Sequence, residues 1–440
     1  LRYDQVTDAK QIKTYFDFTK NESILRLAEK CSGSGDCRKT EITGGTMCPS
    51  FMATRDEKDT TRARANMLRQ FLTNSTQSNR FNHEEIKEVM DLCLSCKGCK
   101  TECPSSVDIA KMKAEFLQHY YDANGSPFRA KLIANFTESQ KLGSMVAPIY
   151  NFFATNSFTS SIIKSVVGFA PGRSLPKVHG TTFSQWASKQ PNTTSTRKVF
   201  LFSDEFTNYN DTEVGITAYK LLTSLGYEVI VPKLKESGRT YLSKGFVKKA
   251  KELANQNVDL ASQEVSAESP LLGIEPSAII TFRDEYPDLV DDSKREKANT
   301  LAKNALMIDE FLVREMKAGR IHPEQFTAEP QKIKLHGHCY QKAFKLVDTT
   351  KEFLSFPSNY EVEVIPSGCC GMAGSFGYEK EHFDVSQKVA ELVLFPTLRK
   401  TGGEYLIAAA GTSCRHQIKD GLQRKSFHPV EIIYDALIKK

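Results

Sequence analysis

Long apolar runs are missing from this chain: no stretch approaches the roughly 20 residues that a bilayer-spanning helix needs. Nothing in it reads as a secretory signal, and no tract is of low complexity. Long basic runs are absent too. The net charge of +6 is spread over 440 residues, which argues against a dedicated nucleic-acid binder and suits a mildly acidic partner. No G-x-G-x-x-G follows a strand-like segment, so neither flavin nor nicotinamide binding is expected within these residues. Cysteine is absent from the whole stretch between Cys103 and Cys339. The chain opens at Leu1 rather than Met, and the expectation is a fragment of something longer or a processed product.

What is present is cysteine in tight groups. There are 11, an odd number, and a secreted disulfide framework would scatter even pairs through its loops. Short spacings without a secretory signal point to metal ligation instead. Residues 1–130 hold seven of the cysteines between segments of helical periodicity: Ile12–Phe18, Glu22–Glu29, Arg55–Leu72, Asn82–Leu92 with Asn82 as cap and Glu85 three residues on, and Asp108–Tyr121. Residues 131–196 read as a connector. Its stretch Met145–Ala170 is rich in Phe, Ile and Val, broken by Pro148 and Gly168, and expected to pack against a neighbouring domain rather than a membrane.

From Arg197 the pattern changes to short apolar strands alternating with amphipathic helices, the mark of a parallel α/β sheet. Strands are expected at Val199–Phe202, Glu228–Val231, Ile333–His336, Glu361–Ile365 and Tyr405–Ala408. Helices are expected near Glu213–Leu225, Phe246–Leu260, Phe383–Leu398 and Pro429–Ile438. This region reads as a duplication. Lys198–Phe206 lines up with Lys332–Tyr340, Gly226–Val231 with Asn359–Val364, Glu236-Ser237-Gly238 with Cys369-Cys370-Gly371, and Pro276-Ser277-Ala278 with Thr412-Ser413-Cys414. Four segments result: a helical domain at 1–130, the connector at 131–196, a repeat without cysteines at 197–300, and a cysteine-bearing repeat at 301–440.

The ladder Cys93-x2-Cys96-x2-Cys99-x3-Cys103-Pro104 curls three thiolates around one face of a four-iron cubane, while its fourth, before Pro, points to a second cluster. Zinc prefers two pairs separated by a longer loop. An earlier group repeats the ladder with departures: Cys31-x2-Ser34-x2-Cys37, then Cys48-Pro49 after ten residues that include Gly44-Gly45. By the exchange rule Cys48 completes the set of Cys93, Cys96 and Cys99, and Cys103 joins Cys31 and Cys37. Three outcomes stay open for that three-thiolate site: a 3Fe–4S cluster, a cubane whose fourth iron binds Ser34 or water, or no cluster at all. The third group is Cys339, Cys369-Cys370 and Cys414, each just past the carboxyl end of a strand, where parallel sheets place their ligands. Gly368, Gly371 and Gly374 would let the backbone approach a cofactor, and Cys414 would open a helix. A metal site is the leading reading there and a thiol–disulfide pair the next. His336, His338 and His416 stand beside these cysteines, with hydrogen bonding or packing ahead of ligation as the role of each.

Taken in order, CSGSGDCRK, GGTMCPSFMATRDEKDTTRARANMLR, CLSCKGCKTECPSSVD, DEFTNYND, HGHCYQKAF, GCCGMAGSFGYE and GTSCRHQI resemble the iron–sulfur and cysteine-rich region of FAD-linked D-2-hydroxyacid dehydrogenases. That group includes the iron–sulfur subunits of glycolate oxidase and anaerobic glycerol-3-phosphate dehydrogenase, and large single-chain enzymes similar to D-2-hydroxyglutarate or D-lactate dehydrogenase. The resemblance implies a two-cluster ferredoxin-like helical domain followed by two parallel-sheet repeats like those of heterodisulfide reductase subunits, where Cys-Cys-Gly motifs hold an iron–sulfur cluster or zinc. It implies an FAD-binding dehydrogenase domain or subunit that normally precedes residues like Leu1. Electrons would reach a quinone or carrier, from a cytoplasmic protein with at most peripheral contact to the inner membrane. The first repeat departs from that pattern, with Glu205, Ser237 and Ala278 where cysteines would stand, and Cys414-Arg415-His416-Gln417 lacks the last cysteine of a Cys-x2-Cys.

The expected function is therefore an electron-transfer module of a flavin-dependent 2-hydroxyacid dehydrogenase. One 4Fe–4S cluster is expected at Cys48, Cys93, Cys96 and Cys99, with a second relay at Cys31, Cys37 and Cys103. Two rivals stand beside it: a thiol or disulfide reductase acting at Cys369-Cys370, and a scaffold stabilised by zinc.

Overall fold

Two parallel sheets and a cap of short helices organise the chain. The computed structural model describes residues 12–191 and 195–438. The first sheet has strands β1 (Lys198–Leu201), β2 (Glu228–Ile230), β3 (Leu271–Gly273) and β4 (Ala305–Met307), in the order β2-β1-β3-β4. The second has β5 (Gln331–His336), β6 (Tyr360–Val364) and β7 (Tyr405–Ala409), in the order β6-β5-β7. All neighbours are parallel, with Phe200 opposite Ile230 and Leu271, and Leu335 opposite Val364 and Ala408. β4 lies beyond residue 300, so the first sheet runs past the boundary expected there. β3 and β4 have three residues each, too few to show a period in sequence.

Side-chain alternation along β1 sets the layering. Val199 and Leu201 join a core that also takes Ile333 and Leu335 from β5 and Ile433 from helix Pro429–Ala436, which packs on helix Thr212–Ser224. Phe200 and Phe202 face the other way, into a core that continues through Ile279 and Val247 to Phe116, Met112 and Val107 of the N-terminal helices. The first sheet is thus buried on both faces, as parallel sheets are.

The N-terminal unit is built of helices Ile24–Glu29, Pro49–Thr54, Thr61–Asn74, Glu84–Asp91, Gly98–Thr101 and Ile109–Asn124. Thr60 caps one by accepting from Ala63 N at 3.0 Å, and Asp108 caps another by accepting from Lys111 N at 3.0 Å. The helix expected at Ile12–Phe18 does not form. The amides of Tyr15 and Phe16 instead donate to the buried Glu115 carboxylate, at 2.7 and 3.0 Å, so tertiary bonds take the groups a helix would use. Asn82 is no cap either: the helix begins at Glu84, and Asn82 Oδ1 accepts from Asn124 Nδ2 at 2.6 Å. Phe383–Leu398 is two helices, Phe383–Leu392 and Leu394–Lys400.

The connector folds as helices Phe128–Ala134, Phe136–Met145, Ala147–Thr155 and Ser157–Val167. Its apolar side chains were expected to pack inward, and most do not. Met145, Ile149, Phe152, Phe158, Ile162 and Val166 are exposed. Among the described residues no helix is long and apolar enough to cross a membrane.

Candidate metal centres

The ladder lies between helices Glu84–Asp91 and Ile109–Asn124, and Cys48 sits at the start of helix Pro49–Thr54. Forty-four residues separate Cys48 from Cys93, yet both line one cavity with Cys96 and Cys99. Glu102 makes this approach: its carboxylate accepts from the amides of Thr46 at 2.7 Å and Met47 at 3.1 Å, tying the loop before Cys48 to the ladder helix. Gly98 lets the two backbones nest, since a Cβ there would lie 3.1 Å from Met47 N. Spacing alone gives no sign of Glu102, which lies between Cys99 and Cys103 as one more acidic residue.

The donor set of this cavity fits a metal cluster. All eleven cysteines are free of disulfides, and Cys48, Cys96 and Cys99 are buried. Burial pushes Cys48 up to about 11, and Cys96 and Cys99 well above the ordinary thiol value. Buried thiolates of this kind are stable only around a compensating cation. Donors to Cys48 are ready, with Thr61 N at 3.2 Å and Thr61 Oγ1 at 3.0 Å from its sulfur.

The other three cysteines of this unit form a more open arrangement. Cys37 is buried, and desolvation together with the neighbouring Cys31 raises its thiol. Cys31 and Cys103 are half-buried, and Ser34 is exposed. The turn after Cys103 lies against the Cys31 loop through a bond from Ser105 Oγ to Ser32 Oγ at 3.2 Å.

Cys339, Cys369, Cys370 and Cys414 gather at the carboxyl ends of β5, β6 and β7, and all four are buried. The four thiols act on one another as close neighbours, which lowers the thiol values of Cys339 and Cys370 and raises those of Cys369 and Cys414. The three histidines part company here. His416 is turned away, its Nδ1 2.8 Å from Tyr378 OH. His338 Nδ1 accepts from Tyr340 N at 3.1 Å, capping helix Cys339–Ala343, and its Nε2 is 3.9 Å from Cys339 Sγ. His336 Nδ1 meets Ser367 Oγ at 2.7 Å, while its buried Nε2 has no hydrogen-bond partner among the described residues. Ligand atoms of His336, Cys370 and Cys414 lie within 4.8 Å of one another.

Ladder and Cys-Cys-Gly loop are neighbours. Cys339 is the charged group that Cys96 feels most, and helix Cys339–Ala343 packs on Gly98–Thr101. The glycines around Cys369-Cys370 serve backbone contact. A Cβ on Gly368 would lie 2.8 Å from Gly45 O, and one on Gly371, at φ +86°, would lie 2.2 Å from Ser386 O. Gly368→Ala is therefore expected to push this loop off the Gly45 turn and destabilise the chain by about 1–3 kcal/mol in urea unfolding. Unchanged stability would show that the contact yields without cost.

Beneath this junction lies a buried charge network that the sequence did not announce. Lys97 Nζ is 2.7 Å from Asp284, 3.1 Å from Glu285 and 3.4 Å from Asp108, and Arg239 is 3.0 Å from Glu285. Lys100 also pairs with Asp284. These bonds join the ladder loop to helix Pro276–Asp284 of the first sheet.

The equivalent end of β1 carries no thiols. Glu205 is buried there, and its carboxylate accepts from Ser237 N at 3.0 Å and Ser237 Oγ at 2.6 Å. Burial raises Glu205 to about 7. Ala278, the third aligned position, is fully buried.

Comparison with known proteins bears on the N-terminal unit first. Residues 30–108 match a family model described as a 4Fe-4S dicluster domain. The chain is an iron–sulfur protein. Around the dicluster domain it is 24% identical to D-2-hydroxyglutarate dehydrogenase of Pantoea ananatis (strain AJ13355) over 462 residues, covering 94% of this chain and 44% of that one. It is 25% identical to one of the subunits of the anaerobic glycerol-3-phosphate dehydrogenase of Escherichia coli (strain K12), over 72% of this chain and 79% of the relative. It is 22% identical to the glycolate oxidase iron-sulfur subunit of the same strain, over 95% of this chain and 96% of that one. The chain thus spans less than half the length of the D-2-hydroxyglutarate dehydrogenases it matches. No solved structure matches it.

Proposed function

We propose that this iron–sulfur protein is the electron-transfer module of a flavin-dependent D-2-hydroxyacid dehydrogenase, taking electrons from a reduced flavin held outside these residues and delivering them to a quinone or carrier. The observation that supports this most is the cavity shared by Cys48, Cys93, Cys96 and Cys99, with Cys339 beside Cys96. Bound clusters would supply one-electron transfer between the two-electron flavin and its acceptor.

The chain's own residues have separable tasks in this reading. Cys48, Cys93, Cys96 and Cys99 hold the buried cluster, and Glu102 sets their spacing through the Thr46 and Met47 amides. Thr61 donates to the Cys48 sulfur and tempers its charge. Cys31, Cys37 and Cys103 form a second, more exposed site, with Ser34 at the position where a fourth cysteine would stand. Cys339, Cys369, Cys370 and Cys414 hold a metal at the exit end. The sheets descend from one repeated unit, with β1, β2 and β3 corresponding to β5, β6 and β7. In the first copy the bonded pair Glu205–Ser237 fills the place of the thiols.

A dithionite-reduced, cluster-loaded chain mixed anaerobically with a short-chain quinone is expected to regain its oxidised visible absorbance. Failure with every quinone and protein carrier tried would remove the relay reading.

His336 is expected to be a ligand at the Cys-Cys-Gly site, because its orphaned Nε2 faces Cys370 and Cys414. His336→Ala should lower the metal retained there while leaving the iron held by the ladder unchanged. Equal metal content in both proteins would assign His336 to hydrogen bonding alone.

A further inference from the structure

The connector presents a surface that electron transfer does not account for. Helices Phe136–Met145, Ala147–Thr155 and Ser157–Val167 turn apolar side chains to solvent, with Met145 71% exposed, Phe152 59%, Phe158 73% and Val166 77%. An apolar face this extended on a folded chain marks something that covers it.

Charge distinguishes between the candidates for that cover. No charged residue occurs from Leu142 to Ile163, and Lys141 and Lys164 flank this stretch. Between Glu138 and Asp204 there is no Asp or Glu at all. Exposed Lys177 lies along helix Ala147–Thr155, because the next residue, Val178, exchanges hydrogen bonds with Asn151 at 2.8 and 3.0 Å. A protein interface of this size carries a polar rim and pairs charges of both signs. Here the rim is mainly basic, with Glu138, 4.0 Å from Lys141, as the single acid on the three helices, and the centre is apolar. Helices with that division lie in the headgroup plane of an anionic bilayer, their apolar side chains dipping into the acyl boundary and their lysine stems reaching back to phosphate. The three helices, of 10, 9 and 11 residues, are too short to cross.

We propose that the helices spanning 136–167 are a docking surface for a phospholipid bilayer rich in anionic headgroups, on which the chain lies without spanning it. The proposal stands on exposure and charge, and holds whether or not the acceptor of electrons is a quinone.

Flotation of the cluster-loaded 440-residue chain with vesicles tests it. The chain should float with vesicles of phosphatidylcholine and phosphatidylglycerol, float less with phosphatidylcholine alone, and release partly at high salt. Phe152→Ser with Phe158→Ser should cut the bound fraction about tenfold or more, since each ring loses its apolar burial. Both positions are exposed, so circular dichroism and cluster absorbance should match wild type. Lys141→Glu with Lys177→Glu should abolish the preference for anionic lipid while keeping the fold. Absence of binding to anionic vesicles at low salt, or equal binding by the phenylalanine variant, would overturn the proposal. So would a chain that elutes as a dimer and becomes monomeric in that variant, because a second copy would then be the cover.

Discussion

Cys96→Ala is expected to empty the buried cluster site, with loss of about four iron and four sulfide per chain and of the main EPR signal of the reduced protein. Cys96 lines the same cavity as Cys48, Cys93 and Cys99, and Cys339 is the charged neighbour that acts on it most. Alanine leaves three buried thiols, and burial raises those of Cys48 and Cys99. With one of its four thiolates gone the cubane lacks a ligand to one iron and is not retained. The variant should also lose reoxidation by quinone, because the site next to Cys339 would be the one missing. Cys31→Ala gives the contrast: it should spare the main signal, since Cys31 does not line this cavity. Equal losses in both variants would mean that the sites are not independent.

Lys97→Met is expected to cost about 3–5 kcal/mol of stability at pH 7, the range found when one partner of a buried ion pair is removed. Lys97 is almost fully buried and sits within 3.4 Å of Asp108, Asp284 and Glu285. Desolvation works against the charged form of Asp284, yet Lys97 and Lys100 outweigh it and hold that carboxyl below its ordinary range. A depressed carboxyl contributes stability that is present above its unfolded value and lost as pH falls through its folded one. The gap between wild type and variant should therefore be widest near neutrality and narrow below about pH 4, as the stranded carboxylates take up protons. Urea midpoints from pH 7 to pH 2 would measure it. A gap that stays constant with pH would mean that Lys97 acts through packing and not through its charge.

How much of this was legible in sequence depends on whether the signal was local. The strands β1, β2, β5, β6 and β7 and most helices could be read because alternation and helical spacing show within a few residues. The approach of Cys48 to the ladder could be argued from the known exchange between paired clusters, although Glu102, which brings it about, could not. Ile12–Phe18 looked helical by spacing alone, and a single residue far along the chain, Glu115, claims its amides. Asn82 looked like a cap and serves Asn124 instead. Lys97 reads as an ordinary surface lysine inside a loop, because two of its three carboxylate partners, Asp284 and Glu285, come from a distant segment. The connector's apolar side chains suggested an inward face, since sequence records hydrophobicity and not which side is covered. Glu205 and Ser237 were identified only as absent cysteines, and that their side chains bond to each other follows from the fold.

The central claim is that the buried cysteines hold clusters that carry electrons, and metal analysis with EPR tests it most directly. Iron, sulfide and zinc would be measured on anaerobically reconstituted chain, with spectra before and after dithionite. The account predicts at least one 4Fe–4S cluster per chain that is EPR-silent as prepared and gives its signal on reduction, with any three-iron signal of the oxidised sample arising at Cys31, Cys37 and Cys103. Stoichiometric zinc without sulfide, in a colourless protein that dithionite leaves unchanged, would contradict it.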